Sequence, residues 1–581
     1  MKEFRHLFLA CLLVAGCAEV HKPAITAQPA PVAPAQLPAQ TAAPAVVPEV
    51  LPDIKLTQDL LYEILLSEFA AQRGHMALAL DESMDLAQNT RDPRLARRAA
   101  QLALESGDME KSVEAVSLWH ELDPGSAMAT RMLSSLLLRG GRLEEARPYL
   151  VEVLKSDGDN VGLAFLQLYP LTAPQPDKTA VLKLMRDLAA PYPDVSEAHW
   201  LVAELARAAG DEKLALNEAR EAHRLKPSWN APVLLEAELL SKTAPEQSLA
   251  LMRDYLSDYP QAAEVRLQYA RELLAQKQYK PARDEFQYLA RENPDNVELA
   301  FAVALISLQL NDLPEAENQL KNTLVRDGKT QDDVAYFLGQ LHEAKEDEEK
   351  ALEYYREVHA GTYLYAAQLR IVYLLSRENK LDEARKELHQ AALDNPAKRA
   401  ELLVIEAQLL RDAKQPEAAM EVLKQGLAKL PDDPGLLYEA AMQADQLGRY
   451  DESEKWLRHL IKVRPDYAHA YNALGYGFLE RKVRIPEATA LVEKALKLAP
   501  DDHAIMDSVG WAYYLGGKLD ESVAMLKKAL AGNGDPEIAA HLGEALWARG
   551  DKEEATKLLQ DSLKDHPDSE PLKAVMKRLM P

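Results

Sequence analysis

Apolar residues fall in short stripes separated by polar punctuation over most of this chain. Leu60, Leu61, Ile64, Leu65 and Phe69 recur at helical spacing, with Thr57 placed to cap and Asp59 in the first turn. Gly74 ends that stripe, and a second runs from Met76 to Leu86. The spacing predicts a pair of helices here, and the same design continues. Helix-stopping residues form a ladder: Pro124, Gly158, Pro193, Pro227, Pro260, Pro294, Gly328, Gly361, Pro396, Pro431, Pro465, Pro500, Gly534 and Pro567. Each step is roughly 33 to 35 residues. Turn glycines such as Gly107, Gly141, Gly210, Gly448, Gly517 and Gly550 fall between the helices. Small residues sit on the second helix of each pair: Ala146, Ala215, Ala282, Ala316, Ala351, Ala384, Ala419, Ala488 and Ala555.

The pattern is sharpest toward the C-terminus. Leu474-Gly475, Val509-Gly510 and Leu542-Gly543 open three successive copies. A glycine inside a helix costs about 1 kcal/mol relative to alanine. That cost is reasonable where the second helix must approach the first closely, with Ala488, Ala495 and Ala555 opposite and Tyr471, Leu474 and Phe478 filling the space beside the contact.

This pattern resembles the tetratricopeptide repeat, over residues 57–567 and about fifteen units on its period. The resemblance implies an all-α solenoid of helix-turn-helix units forming a right-handed superhelix, with an inner groove made mainly by first helices. The polar segment 568–581, with Lys573, Lys577 and Arg578, is expected to cap the open end. The match is weakest where LQLYPLTAPQPDK interrupts a pair, and Pro232 and Thr243-Ala244-Pro245 also depart from it. Those departures are either bends or altered units.

The first residues read differently. Lys2 and Arg5 precede an apolar run over residues 7–15, well short of the ~20 residues that span a bilayer. This is the layout of a secretory signal. Val14-Ala15-Gly16-Cys17 resembles a bacterial lipobox, which implies removal of residues 1–16 and acylation of Cys17. No aspartate follows Cys17, and by resemblance to enterobacterial sorting this implies the outer membrane, with the protein facing the periplasm. Residues 17–55 form a tether rich in proline and alanine, which extends at about 3.1 Å per residue.

The net charge is -24, which disfavours binding to nucleic-acid backbones. Both cysteines, Cys11 and Cys17, lie in the leader, so neither an internal disulfide nor cysteine chemistry is expected in the mature chain. Gly328-Lys329-Thr330 lacks the upstream glycine of a phosphate loop, and Gly475-Tyr476-Gly477 lacks the third glycine of a dinucleotide site. His120-Glu121 and His342-Glu343 lack the second histidine of a zinc helix. The fourteen histidines are scattered, and a lone one is expected to be packed or solvated. No catalytic residue, metal, cofactor or small-molecule substrate is expected.

One constellation points to binding. Tyr438, Asn472, Tyr476, Trp511, Tyr514 and Trp547 occupy first-helix positions expected to face the groove. Tyrosine and tryptophan serve as interface anchors, and Asn472 is suited to bonding a peptide backbone. The rings either line the groove or fill the space between repeats; the sequence leaves both open. The family's clamp for a terminal carboxylate is not reproduced. The first helix, residues 57–72, is a secondary docking candidate, although its apolar residues are expected to pack on the second helix.

A lipid-tethered spiral of this build resembles the lipoprotein adaptor of a periplasmic carboxyl-terminal processing protease. That resemblance implies a scaffold presenting substrates, among them peptidoglycan cross-link hydrolases, to the protease. The alternative is an assembly factor for an envelope machine such as a pilus, a secretion complex or exopolysaccharide export.

Overall fold

The computed structural model describes residues 51–326, 331–532 and 534–580. The signal segment, Cys17, the tether up to residue 50 and the sequence Gly328-Lys329-Thr330 lie outside the described residues. The described residues form 31 α-helices and no strand, and 80% of them are helical. The helices run as consecutive pairs closed by a last single helix, Glu570–Leu579. Among the described residues no helix is long and apolar enough to cross a membrane.

Two compact units divide the chain between Gln319 and Leu320. In the first, a continuous core runs from Ala70 to Ala215, and a second from Val233 to Ile306. The region where the pattern weakens is an ordinary pair, Val161–Thr172 and Lys178–Ala189. Pro170 lies inside the first of these helices, which ends two residues later. Pro232 sits in the first turn of Asn230–Thr243, and Pro245 opens Pro245–Asp258. Proline is tolerated there because first-turn N–H groups have no helical partner.

In the second unit the main core runs from Ala407 to Ala512. Its hairpins show why glycine recurs. A Cβ built on Gly510 would lie 2.5 Å from Leu526 Cγ, and one on Gly543 would lie 2.6 Å from Leu559 Cδ2. On Gly475 it would lie 3.0 Å from the carbonyl oxygen of Ala488. The facing alanines are fully buried, from Ala146 in the first unit to Ala555 in the second. Ser522 adds a buried hydrogen bond across the same contact, donating to the Gly510 carbonyl at 2.7 Å. Small residues on both sides thus let the backbones touch, and dispersion contacts replace side-chain bulk. The last helix covers one end of the array, packing Leu572 and Val575 on Ala539, Ala540 and Leu559.

The first helix, Gln58–Gln72, departs from expectation. Thr57 caps it, accepting from the Leu60 N–H at 3.1 Å. Only Ser67 and Ala70 are buried, whereas Leu61, Tyr62, Leu65 and Phe69 remain exposed, Phe69 by 55%. The small residues, not the large ones, face Met76–Thr90: Ser67 donates to the Ala79 carbonyl at 2.7 Å. Leu61, Leu65 and Phe69 of the apolar stripe therefore stay exposed, while Leu60 and Ile64 are half-buried.

Candidate protein-binding surface

First helices of successive hairpins lie side by side in the second unit, notably Ala468–Glu480, His503–Leu515 and Pro536–Arg549. Each start is fixed locally. Asp502 accepts from the Ala504 and Ile505 N–H groups, and Asp535 accepts from Glu537 N–H with Pro536 at the first helical position. Neighbouring first helices can then share side chains at repeat-length separations.

The sharing centres on His541. Its Nδ1 donates to Asp507, 3.0 Å from both carboxylate oxygens, and both residues are buried. The two stand 34 residues apart, one repeat. Burial works against a charged imidazole, but the bond to Asp507 and the nearby Glu537 and Glu480 outweigh it, so the ring titrates above the usual histidine value. Trp511 stacks on His541 at 4.2 Å and on Tyr514 at 4.8 Å. Tyr476 donates its hydroxyl to Glu537 at 2.6 Å, spanning 61 residues. Burial first, then that carboxylate, push its phenol well above the ordinary range. Burial and Glu544 raise Tyr514 in the same way, and Glu544 pairs with Arg578 of the last helix.

The structure thus brings together three of the six residues singled out from the sequence, Tyr476, Trp511 and Tyr514. Trp511 is only 7% exposed and Tyr476 and Tyr514 are half-buried, and Trp511 and Tyr476 make contacts between repeats. Asn472 lies one turn before Tyr476, with its Oδ1 buried and unpartnered. Tyr438 sits two hairpins before Trp511 and packs against Tyr467 at 5.8 Å. Trp547 packs on the core around Leu546 and Ala555, with Lys552 5.2 Å from its ring. The residues that sequence reading missed are Asp507, Glu537, His541 and Glu544. The available signal was the one-repeat spacing of Asp507 and His541, which places them on adjacent first helices. Among the described residues no group of three His, Cys, Asp or Glu side chains is placed to hold a metal ion.

An array of close-packed helical hairpins presenting shared side chains on its first helices is an interaction scaffold. Tetratricopeptide repeat models match residues 85–161, 267–331, 301–363, 369–434, 410–475 and 513–579. A TPR repeat-containing protein of Pseudomonas aeruginosa is 34% identical over 492 residues, covering 84% of this chain and 82% of the relative. The chain belongs to the tetratricopeptide repeat family. Among solved structures it is similar to a thermophilic TPR protein of Thermus thermophilus, at 24% identity and a TM-score of 0.28, covering 31% of this chain and 98% of that one. It is also similar to the Cut9–Hcn1 hetero-tetramer of the APC/C, at 14% identity and a TM-score of 0.29, covering 84% and 97%. The repeat models leave out residues 162–266 and 476–512, yet helix pairs continue through both.

Proposed function

We propose that this protein is a non-enzymatic adaptor, held in the outer membrane through Cys17 and facing the periplasm. It binds a carboxyl-terminal processing protease together with its substrates, among them peptidoglycan cross-link hydrolases, and promotes their proteolysis. The observation that supports this reading best is the hairpin array itself. It presents shared aromatic and acidic side chains along its first helices, and an exposed apolar stripe on Gln58–Gln72 of the kind that marks interaction sites. The lipobox resemblance of Val14-Ala15-Gly16-Cys17 supplies the anchor. Several acyl chains hold a protein firmly where one gives only marginal binding. The role is proximity: co-binding of protease and substrate raises their effective concentration, to about millimolar for short links.

Affinity-tagged residues 18–581, purified from periplasmic extract and analysed by mass spectrometry, should recover the protease and a hydrolase. Recovery of pilus, secretin or polysaccharide-export components without a protease would sink the proposal. Cys17→Ala should move the protein from the membrane fraction to the soluble periplasmic fraction, read by fractionation and immunoblot.

A further inference from the structure

We propose that the exposed stripe of the first helix, Gln58–Gln72, is a pairing face for a second copy of this chain, laid antiparallel across a twofold axis at Leu65. The inference stands apart from the adaptor reading, which one copy or two would satisfy. Among the described residues no element covers the stripe, and Leu56, just ahead of the helix, is exposed by 66%. Large apolar side chains gathered on one solvent-facing side mark an interaction site.

The spacing decides the occupant. Gln58, Leu61, Leu65, Phe69 and Gln72 all lie on the exposed side. Their intervals are three, four, four and three residues, which read the same from either end. Turned about Leu65, the helix therefore meets itself in register: Leu65 on Leu65, Leu61 on Phe69, and Gln58 on Gln72. An isologous contact of this kind closes at two copies. The apolar side chains interdigitate as in other packed helix pairs, and the amides of Gln58 and Gln72 hydrogen-bond across each end.

Charge agrees with that arrangement. Asp59 in the first turn and Arg73 at the C-cap are exposed and make no ion pair among the described residues. With 3.6 residues per turn, both fall on the same flank of the stripe. Like flanks meet in an antiparallel pair, so each Asp59 comes beside the other copy's Arg73. Other occupants fit less well. The helix holds Asp59, Glu63 and Glu68 and no lysine or arginine, the reverse of a helix that lies on a membrane surface. Residues 23–48 of the tether carry no charge to answer Asp59 and Arg73.

The test is sedimentation velocity of the soluble chain, residues 18–581, over a concentration series. One helix from each copy is a small interface, so a dimer is expected at about micromolar concentration and a single copy in dilute solution. Leu65→Asp should abolish the dimer while helical circular dichroism and dilute-solution melting stay as in the parent protein, because Leu65 is exposed. Asp59→Arg and Arg73→Asp should each weaken pairing by about tenfold, and the two together should restore it. Cross-linking reads the orientation, since residues 18–581 contain no cysteine. Leu65→Cys should give a disulfide-linked dimer with diamide as oxidant. Gln72→Cys should not, because antiparallel copies set the two Gln72 positions about 21 Å apart along the helix, beyond disulfide reach. Sedimentation as one copy at every concentration, or cross-linking at Gln72 as readily as at Leu65, overturns the inference. A single copy whose Leu65→Asp variant no longer recovers the protease makes the protease the occupant and overturns it likewise. Recovery of an export machine by a chain that does pair sinks the adaptor reading alone.

Discussion

Left-handed backbone recurs at the turn inside most hairpins, and the residue placed there is not always glycine. Gly107, Gly141, Gly448 and Gly517 hold it, but so do Lys277, Asn311, Lys414 and Lys482. An L-residue other than glycine, asparagine or aspartate adopts this region at about 1–2 kcal/mol. Glycine removes that strain and gives part of it back through a freer unfolded chain. Lys414→Gly and Lys482→Gly should each therefore raise stability by about 0.5–1 kcal/mol, read as a shift in urea midpoint. Gly510→Ala should do the reverse, because its Cβ would press on Leu526 and overpacking costs about 1–3 kcal/mol. The two kinds of site differ in how far they could be read from the sequence. Close approach at Gly475, Gly510 and Gly543 was legible because nothing larger than glycine fits, so the residue advertises its contact. Strain at Lys482 was not, because the connection between the helices imposes it and the residue merely tolerates it.

At the scale of the helix, periodicity tells which residues share a face but not what lies against it. Leu61, Leu65 and Phe69 in Gln58–Gln72 have the same spacing as core residues, yet they stay exposed because Ser67 and Ala70 make the contact with the next helix. Phe478 has comparable spacing in Ala468–Glu480 and is fully buried. Substitution should separate the two cases. Phe69→Ser should shift stability by only about 0.5 kcal/mol, as exposed positions do. Phe478→Ala should cost about 3–5 kcal/mol through lost burial and the cavity left behind. Thermal melts of the two variants side by side are the check. The same limit explains the candidate surface. Tyr476, Trp511 and Tyr514 could be placed on first helices from the repeat alone, but the bond from Tyr476 to Glu537 joins residues 61 apart. No local spacing signals a contact that passes over a whole intervening hairpin.

Across the whole chain, each unit carries a histidine tied to a carboxylate, and both contribute to how stability follows pH. In the first unit His199 lies 2.6 Å from Glu218, and the bond to that carboxylate raises its titration above the ordinary value. In the second, Asp507 and its acidic neighbours outweigh the burial of His541. For a histidine raised on folding, the stabilisation is fully present below the unfolded value of about 6.5 and is lost as pH climbs through the folded one. Glu236 works from the other side. Burial opposes its charge, but His223 and the Arg220 guanidinium, 2.8 Å away, hold it below the usual carboxylate range. Its contribution is present above about 4.5 and is lost as pH falls through the folded value. Urea midpoints should therefore be highest between about pH 4.5 and 6.5 and decline toward pH 8. His541→Gln should flatten the decline in the second unit alone, and His199→Gln in the first alone, when unfolding is followed by hydrogen exchange resolved to peptides of each unit. A decline above pH 6.5 that is unchanged in both variants would remove the two histidine–carboxylate pairs as its source.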